Sequence, residues 1–172
     1  MNISDNEMEK LLKSLSFDYI TDMTKMFHNC KNITTIPLID TSNVTDMGGM
    51  FQSCSNLITI PKLNTSNVTY MGDMFCNCTN LKIVPALDMS KVTYCDRMFS
   101  DCNALEEIHT TGMKSSFSIS SSKKLTESAL VEILNNLATV TSTQTLTMGS
   151  TNLAKLTDEE KAIATNKGWT LA

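Results

Sequence analysis

Residues Thr41 to Asn64 read TSNVTDMGGMFQSCSNLITIPKLN, and the pattern of this stretch returns every 24 residues. Phe27, Phe51, Phe75 and Phe99 fall in one register. So do Met26, Met50, Met74 and Met98, and likewise Cys30, Cys54, Cys78 and Cys102. Ile20, Val44, Val68 and Val92 form a further row, Ile33, Leu57, Leu81 and Leu105 another, and Ile36, Ile60, Val84 and Ile108 another. Pro37, Pro61 and Pro85 follow, until His109 breaks the row. Rows shared by four units in this way indicate an array. No unit buries its apolar face alone, and stacked neighbours build the core.

Within a unit, Asn56–Pro61 is short, β-branched-rich and stopped by proline, which predicts a strand. Asn43–Met47 predicts a second extended segment. Between them Met47, Met50, Phe51 and Cys54 fall at i, i+3, i+4 and i+7, one face of a two-turn helix. The expected fold class is therefore α/β: a leucine-rich-repeat-like solenoid with 24-residue coils of short strand plus short helix, closed by helical caps.

The ends suit such an array. Ser4 and Glu7 form a capping box, Ile3 and Met8 a hydrophobic staple, and Met8, Leu11, Leu12 and Leu15 one helix face. We therefore read residues 1–16 as an N-terminal capping helix, 17–111 as four coils, and 112–172 as longer α/β coils and a cap. In the last region Ser116–Ser120 is extended and Ser120–Lys124 a loop. Thr126 caps a helix carrying Leu130, Ile133, Leu134 and Leu137. Thr145–Met148 is a strand, Thr157 and Glu160 cap a helix ending before Gly168, and Trp169–Leu171 is the last strand. A separate C-terminal domain is the alternative for this region.

Composition narrows the function. Charged residues make up 19% and the net charge is −4, with no basic run beyond Lys123-Lys124, which disfavours nucleic-acid binding. No apolar stretch approaches the roughly 20 residues of a bilayer span, so no membrane insertion is expected. The start MNISDNEMEK lacks the basic and apolar regions of a signal peptide. The expectation is synthesis in the cytoplasm, with placement on a virion or a bacterial surface reached by assembly or another export route.

Residues with chemistry are mostly absorbed by the repeat. Four of the six cysteines are the ladder, where parallel Cβ vectors disfavour disulfides and buried free thiols act as small hydrophobes. Cys95 replaces Met23, Met47 and Met71 in a core row, whereas Cys76 replaces His28, Gln52 and Ser100 in a variable row and is the thiol expected to be exposed. Cys76-x-Cys78 is no zinc spacing. His28 and His109 lie in different rows and assemble no nucleophile–base–orienter set. No catalytic residue, metal ligand, disulfide or cofactor is assigned.

What remains is variation at equivalent positions. One row holds Asp22, Asp46, Tyr70 and Tyr94; a second holds Lys25, Gly49, Asp73 and Arg97; a third holds Thr34, Ile58, Lys82 and Glu106. Tyr70 and Tyr94 are expected to stack on adjacent coils, presenting flat apolar bodies with hydrogen-bonding tips. Thr21, Thr45, Thr69 and Thr93 do not vary and read as a ladder holding the stack. The candidate binding residues are Tyr70, Tyr94, Lys82, Asp46 and Arg97.

The unit pattern V-T-x-M-x-x-M-F-x-x-C-x-x-L-x-x-I-P stands here as Val44-Thr45-Asp46-Met47, Met50-Phe51, Cys54, Leu57 and Ile60-Pro61. It resembles the BspA-like leucine-rich-repeat surface proteins over residues 17–111. The ending from Asn152 resembles the C-termini of repeat proteins from gut bacteria and their phages. The resemblance implies adhesion or partner recognition without enzyme activity. The partner expected is a protein or a cell-surface glycan. The alternative is a structural virion component that docks a neighbouring virion protein.

Overall fold

Backbone polar groups need partners, and the sequence between the first helix and the first full strand finds them one repeat away. In the computed structural model, which describes residues 4–172, the N–H groups of Met47, Gly49, Phe51 and Ser53 donate to the carbonyls of Tyr70, Gly72, Met74 and Cys76 at 2.8–3.0 Å. Met50, Gln52 and Cys54 close local turns onto Met47, Gly49 and Phe51. The same alternation joins Met23, Lys25, Phe27 and Asn29 to the second unit. It also joins Met71, Asp73, Phe75 and Asn77 to the fourth.

The expected helix over Met47–Cys54 is therefore a run of overlapping turns. Gly49 at φ +60 and Ser53 at φ +62 enter the left-handed region, which ends α-helix propagation. Lys25, Asn29, Asp73, Asn77, Arg97 and Asp101 repeat this geometry in the other units, at φ +55 to +63. Each left-handed residue frees alternate N–H groups from the local spiral and turns them toward the next unit.

Two further ladders tie the units. Single parallel bridges run Asp22–Asp46–Tyr70–Tyr94, and Ile58, Lys82 and Glu106 donate N–H to Thr34, Ile58 and Lys82. The expected strand Asn56–Pro61 shrinks to one bridge, Thr59–Ile83: Pro61 and Pro85 face each other's units without an N–H to extend this ladder, whereas His109 supplies one in the same row of the next unit. Asn43–Met47 likewise keeps only the bridge at Asp46. Full strands appear later as β1 (Ile83–Asp88) and β2 (Glu107–Thr111), a parallel pair whose register shifts between Val84 and Leu87, beside Pro85.

The apolar rows pack inside these ladders. The four phenylalanine rings stack at centroid distances of 5.3, 5.6 and 6.0 Å, within 7° of parallel. Beside them the thiols of Cys54, Cys78 and Cys102 donate to the carbonyls of Phe27, Phe51 and Phe75 at 2.9–3.0 Å. One apolar cluster extends from Met8 to Trp169.

Helix α1 (Asp5–Lys13) opens on the Ser4–Glu7 capping box and buries Met8 and Leu12, but Leu11 and Leu15 stay exposed. Ile3 of the expected staple lies outside the described residues. Asp5 accepts the N–H of Thr34 at 2.7 Å, the donor that later units direct to the preceding unit. After β2 come β3 (Phe117–Ser118), α2 (Glu127–Asn136), β4 (Gln144–Thr147), α3 (Ser150–Leu153), α4 (Asp158–Thr165) and β5 (Trp169–Leu171). Strands β3, β4 and β5 form a parallel sheet in that order. Thr126 caps α2, and Thr157 with Glu160 boxes α4. The short α3, which begins after Gly149, carries no periodic apolar signal in the sequence.

Candidate functional site

Asp22, Asp46, Tyr70 and Tyr94 share one bridge row, so their side chains follow one another up the ladder. In the first two units the aspartate folds back. Asp22 accepts the N–H of Thr24 at 2.7 Å and Asp46 that of Gly48 at 2.8 Å, each closing an Asx turn. In the next two units tyrosine replaces it. The Tyr70 and Tyr94 rings stack at 4.8 Å between centroids and 6° between planes. They are 38% and 45% exposed, in a chain whose other aromatic rings are largely buried, Tyr19 excepted.

Glycine makes room for both rings. A Cβ at Gly48 would lie 2.7 Å from Cε1 of Tyr70, and one at Gly72 would lie 2.7 Å from Cε1 of Tyr94. Each tyrosine thus leans over a glycine of the preceding unit. Partial desolvation, with Tyr94 and three aspartates nearby, pushes the Tyr70 hydroxyl above its ordinary value.

Arg97 joins this surface. Its Nε lies 3.3 Å from Oδ1 of Asp73, a charge contact without hydrogen-bond alignment, which leaves that buried oxygen without a directed donor. Arg97 Nη2 donates to Cys76 Sγ at 3.6 Å, and Cys76, expected to be exposed, is fully buried. The weakly polar thiol sits beneath the guanidinium, where the more polar side chains of Gln52 and Ser100 reach partly outward. Thr45, Thr69 and Thr93 donate both N–H and hydroxyl to the preceding threonine carbonyl and brace the same row.

The structure thus brings Asp46, Tyr70, Tyr94 and Arg97 onto neighbouring rows. Lys82 belongs to the other ladder, where its partner is Glu106 at 3.8 Å. The sequence reading missed a second cluster. His109 on β2 contacts Glu132 of α2 at 2.7 Å through Nδ1 and Glu107 at 2.9 Å through Nε2. These carboxylates, Glu132 first, hold the imidazole above its ordinary value. The cluster edges a cleft of about 640 Å³, also lined by Glu106, Lys124 and Thr126. Glu132 lies beyond the 24-residue register, so no row analysis pairs it with His109.

Burial drives the other shifted groups. It pushes the thiols of Cys54, Cys95 and Cys102 up to about 12, and Cys78 higher still. Thiols so placed are poor nucleophiles and poor metal ligands at neutral pH. Among the described residues no group of three or more His, Cys, Asp or Glu is arranged to hold a metal. No helix among them is long and apolar enough to cross a membrane.

These features define a mixed α/β protein whose polar rungs and apolar rows recur every 24 residues and whose outer face carries one aromatic pair. A family model described as "Mycoplasma protein of unknown function, DUF285" matches residues 4–129, and the chain belongs to that family. No curated protein and no solved structure matches the chain.

Proposed function

We propose that the chain is a non-enzymatic binding module: a short, BspA-like leucine-rich-repeat solenoid recognising a partner protein or a cell-surface glycan. The observation that carries this reading is the exposed Tyr70–Tyr94 stack, 4.8 Å apart. Tyrosine offers large, stiff contact area with a polar tip and is enriched where binding energy concentrates. Here two rings are fixed by mutual stacking and by glycine beneath them, so little side-chain freedom is lost on association. Asp46, Asp73 and Arg97 supply charge beside the pair. Display on a bacterial or virion surface is the setting that goes with this reading.

The test is binding of fluorescently labelled protein to a panel of intact bacterial strains and to arrayed surface glycans. Saturable, strain-selective binding is expected. Absence of binding to every strain and glycan contradicts recognition of a cell-surface ligand and favours a structural role against a neighbouring subunit.

A further inference from the structure

His109 stands where the proline row ends. Its two ring nitrogens face carboxylates from two different elements, Glu107 on β2 and Glu132 on α2, at 2.9 and 2.7 Å. A neutral imidazole carries one N–H, so it donates to one carboxylate and turns a lone pair on the other. Imidazolium donates to both, and such charge-assisted bonds are the strong ones.

The remaining charges on this cleft are Glu106 and Lys124. Glu106 is partly neutralised by Lys82, so the groups bordering the imidazole leave it in negative surroundings. At its other end α2 is fastened independently. Lys167 Nζ donates to the carbonyls of Leu134 and Leu137 at 3.1 and 3.0 Å, and Gly112 donates its N–H to Asn136 at 2.9 Å. Leu130, Ile133 and Leu134 bury the inner face. The His109–Glu132 contact is thus the polar tie between the middle of α2 and β2.

We propose that protonated His109 is a pH-sensitive clamp between the last repeat unit and α2, slackening when the proton leaves. The sign follows from linkage. The two carboxylates favour the charged ring in the folded state, so the clamp contributes fully below the unfolded value of about 6.5. It is lost as pH rises through the higher folded value. The thiols that burial shifts titrate far above this window.

The test is the imidazole nitrogen NMR titration of the full chain in a His28→Gln background, which leaves His109 as the single histidine. A midpoint above about 6.5, with protons on both ring nitrogens below it, is expected. Glu132→Gln should move the midpoint down, and the melting temperature of the parent should fall from about pH 6 to pH 8 more than that of His109→Gln. A midpoint at or below about 6.5, or one that Glu132→Gln leaves in place, overturns the clamp. The Glu132→Gln titration decides the matter even if His109→Gln fails to fold.

Discussion

The Cys78 thiol donates to the Phe51 carbonyl at 3.0 Å, from one unit to the ring-bearing residue of the unit before. Cys54 does the same to Phe27 and Cys102 to Phe75. The cysteine row therefore has a polar role inside the apolar core. It supplies a second donor to carbonyls that the local turns already use. Serine would keep the donor but lose apolar volume, and alanine would lose both. Cys78→Ala should cost about 1–3 kcal/mol, from the lost contact and the small void. Chemical denaturation of the variant against the parent checks this.

The same burial sets reactivity. No thiol should react with an aromatic disulfide reagent at pH 8 while the chain is folded, Cys76 included, and all six should react in denaturant. Stability follows the sign of the shift. Unfolded thiols ionise near 8.5, whereas folded Cys54, Cys95 and Cys102 hold their protons to about 12. The unfolded state therefore loses protons first, and the melting temperature should fall steadily above about pH 8.5. A flat melting profile through pH 10 would contradict the buried placement.

Phe75 lies between two stacked rings, 5.6 Å from Phe51 and 6.0 Å from Phe99, and is fully buried. Phe75→Ala should cost about 3–5 kcal/mol. Melting like that of the parent would show that the register of the stack is wrong.

Gly72→Ala probes the seat of the outer pair. Its Cβ would meet Cε1 of Tyr94 at 2.7 Å and the Tyr70 hydroxyl at 2.9 Å, so the rings must part. Tyrosine near-ultraviolet dichroism should change while the far-ultraviolet spectrum holds. Gly49→Asp is the contrast. Asp73 already occupies the equivalent position at φ +57, so that change should be well tolerated.

How far this was legible in the sequence depends on what repeats. Phe27, Phe51, Phe75 and Phe99 recur without exception, and all four are buried. Ser4 with Glu7 and Thr157 with Glu160 are local signals, and both boxes form. The 47–54 segment misled because its i, i+3, i+4, i+7 spacing serves turn stacks as well as helices. The deciding feature, left-handed backbone at Gly49 and Ser53, is masked elsewhere by Lys25, Asp73 and Arg97. Cys76 sits in a variable row yet is buried, its thiol 3.6 Å from Arg97 Nη2, so variation alone does not mark an outward position. The tyrosine stack was visible as two equal residues one unit apart, but its glycine seats emerge only when Gly48 is set against Tyr70. Glu132 carries no register, so its meeting with His109 required the fold.

One comparison isolates the contribution of the aromatic pair to recognition. Affinity for a strain that binds the parent would be measured for Tyr70→Ser/Tyr94→Ser and for Lys82→Ser, each verified as folded by its melting curve. The expected result is a loss of about 30-fold or more for the double tyrosine variant, with Lys82→Ser close to the parent because Lys82 lies on the other ladder. Parent-like affinity in the folded tyrosine variant would contradict recognition through this face.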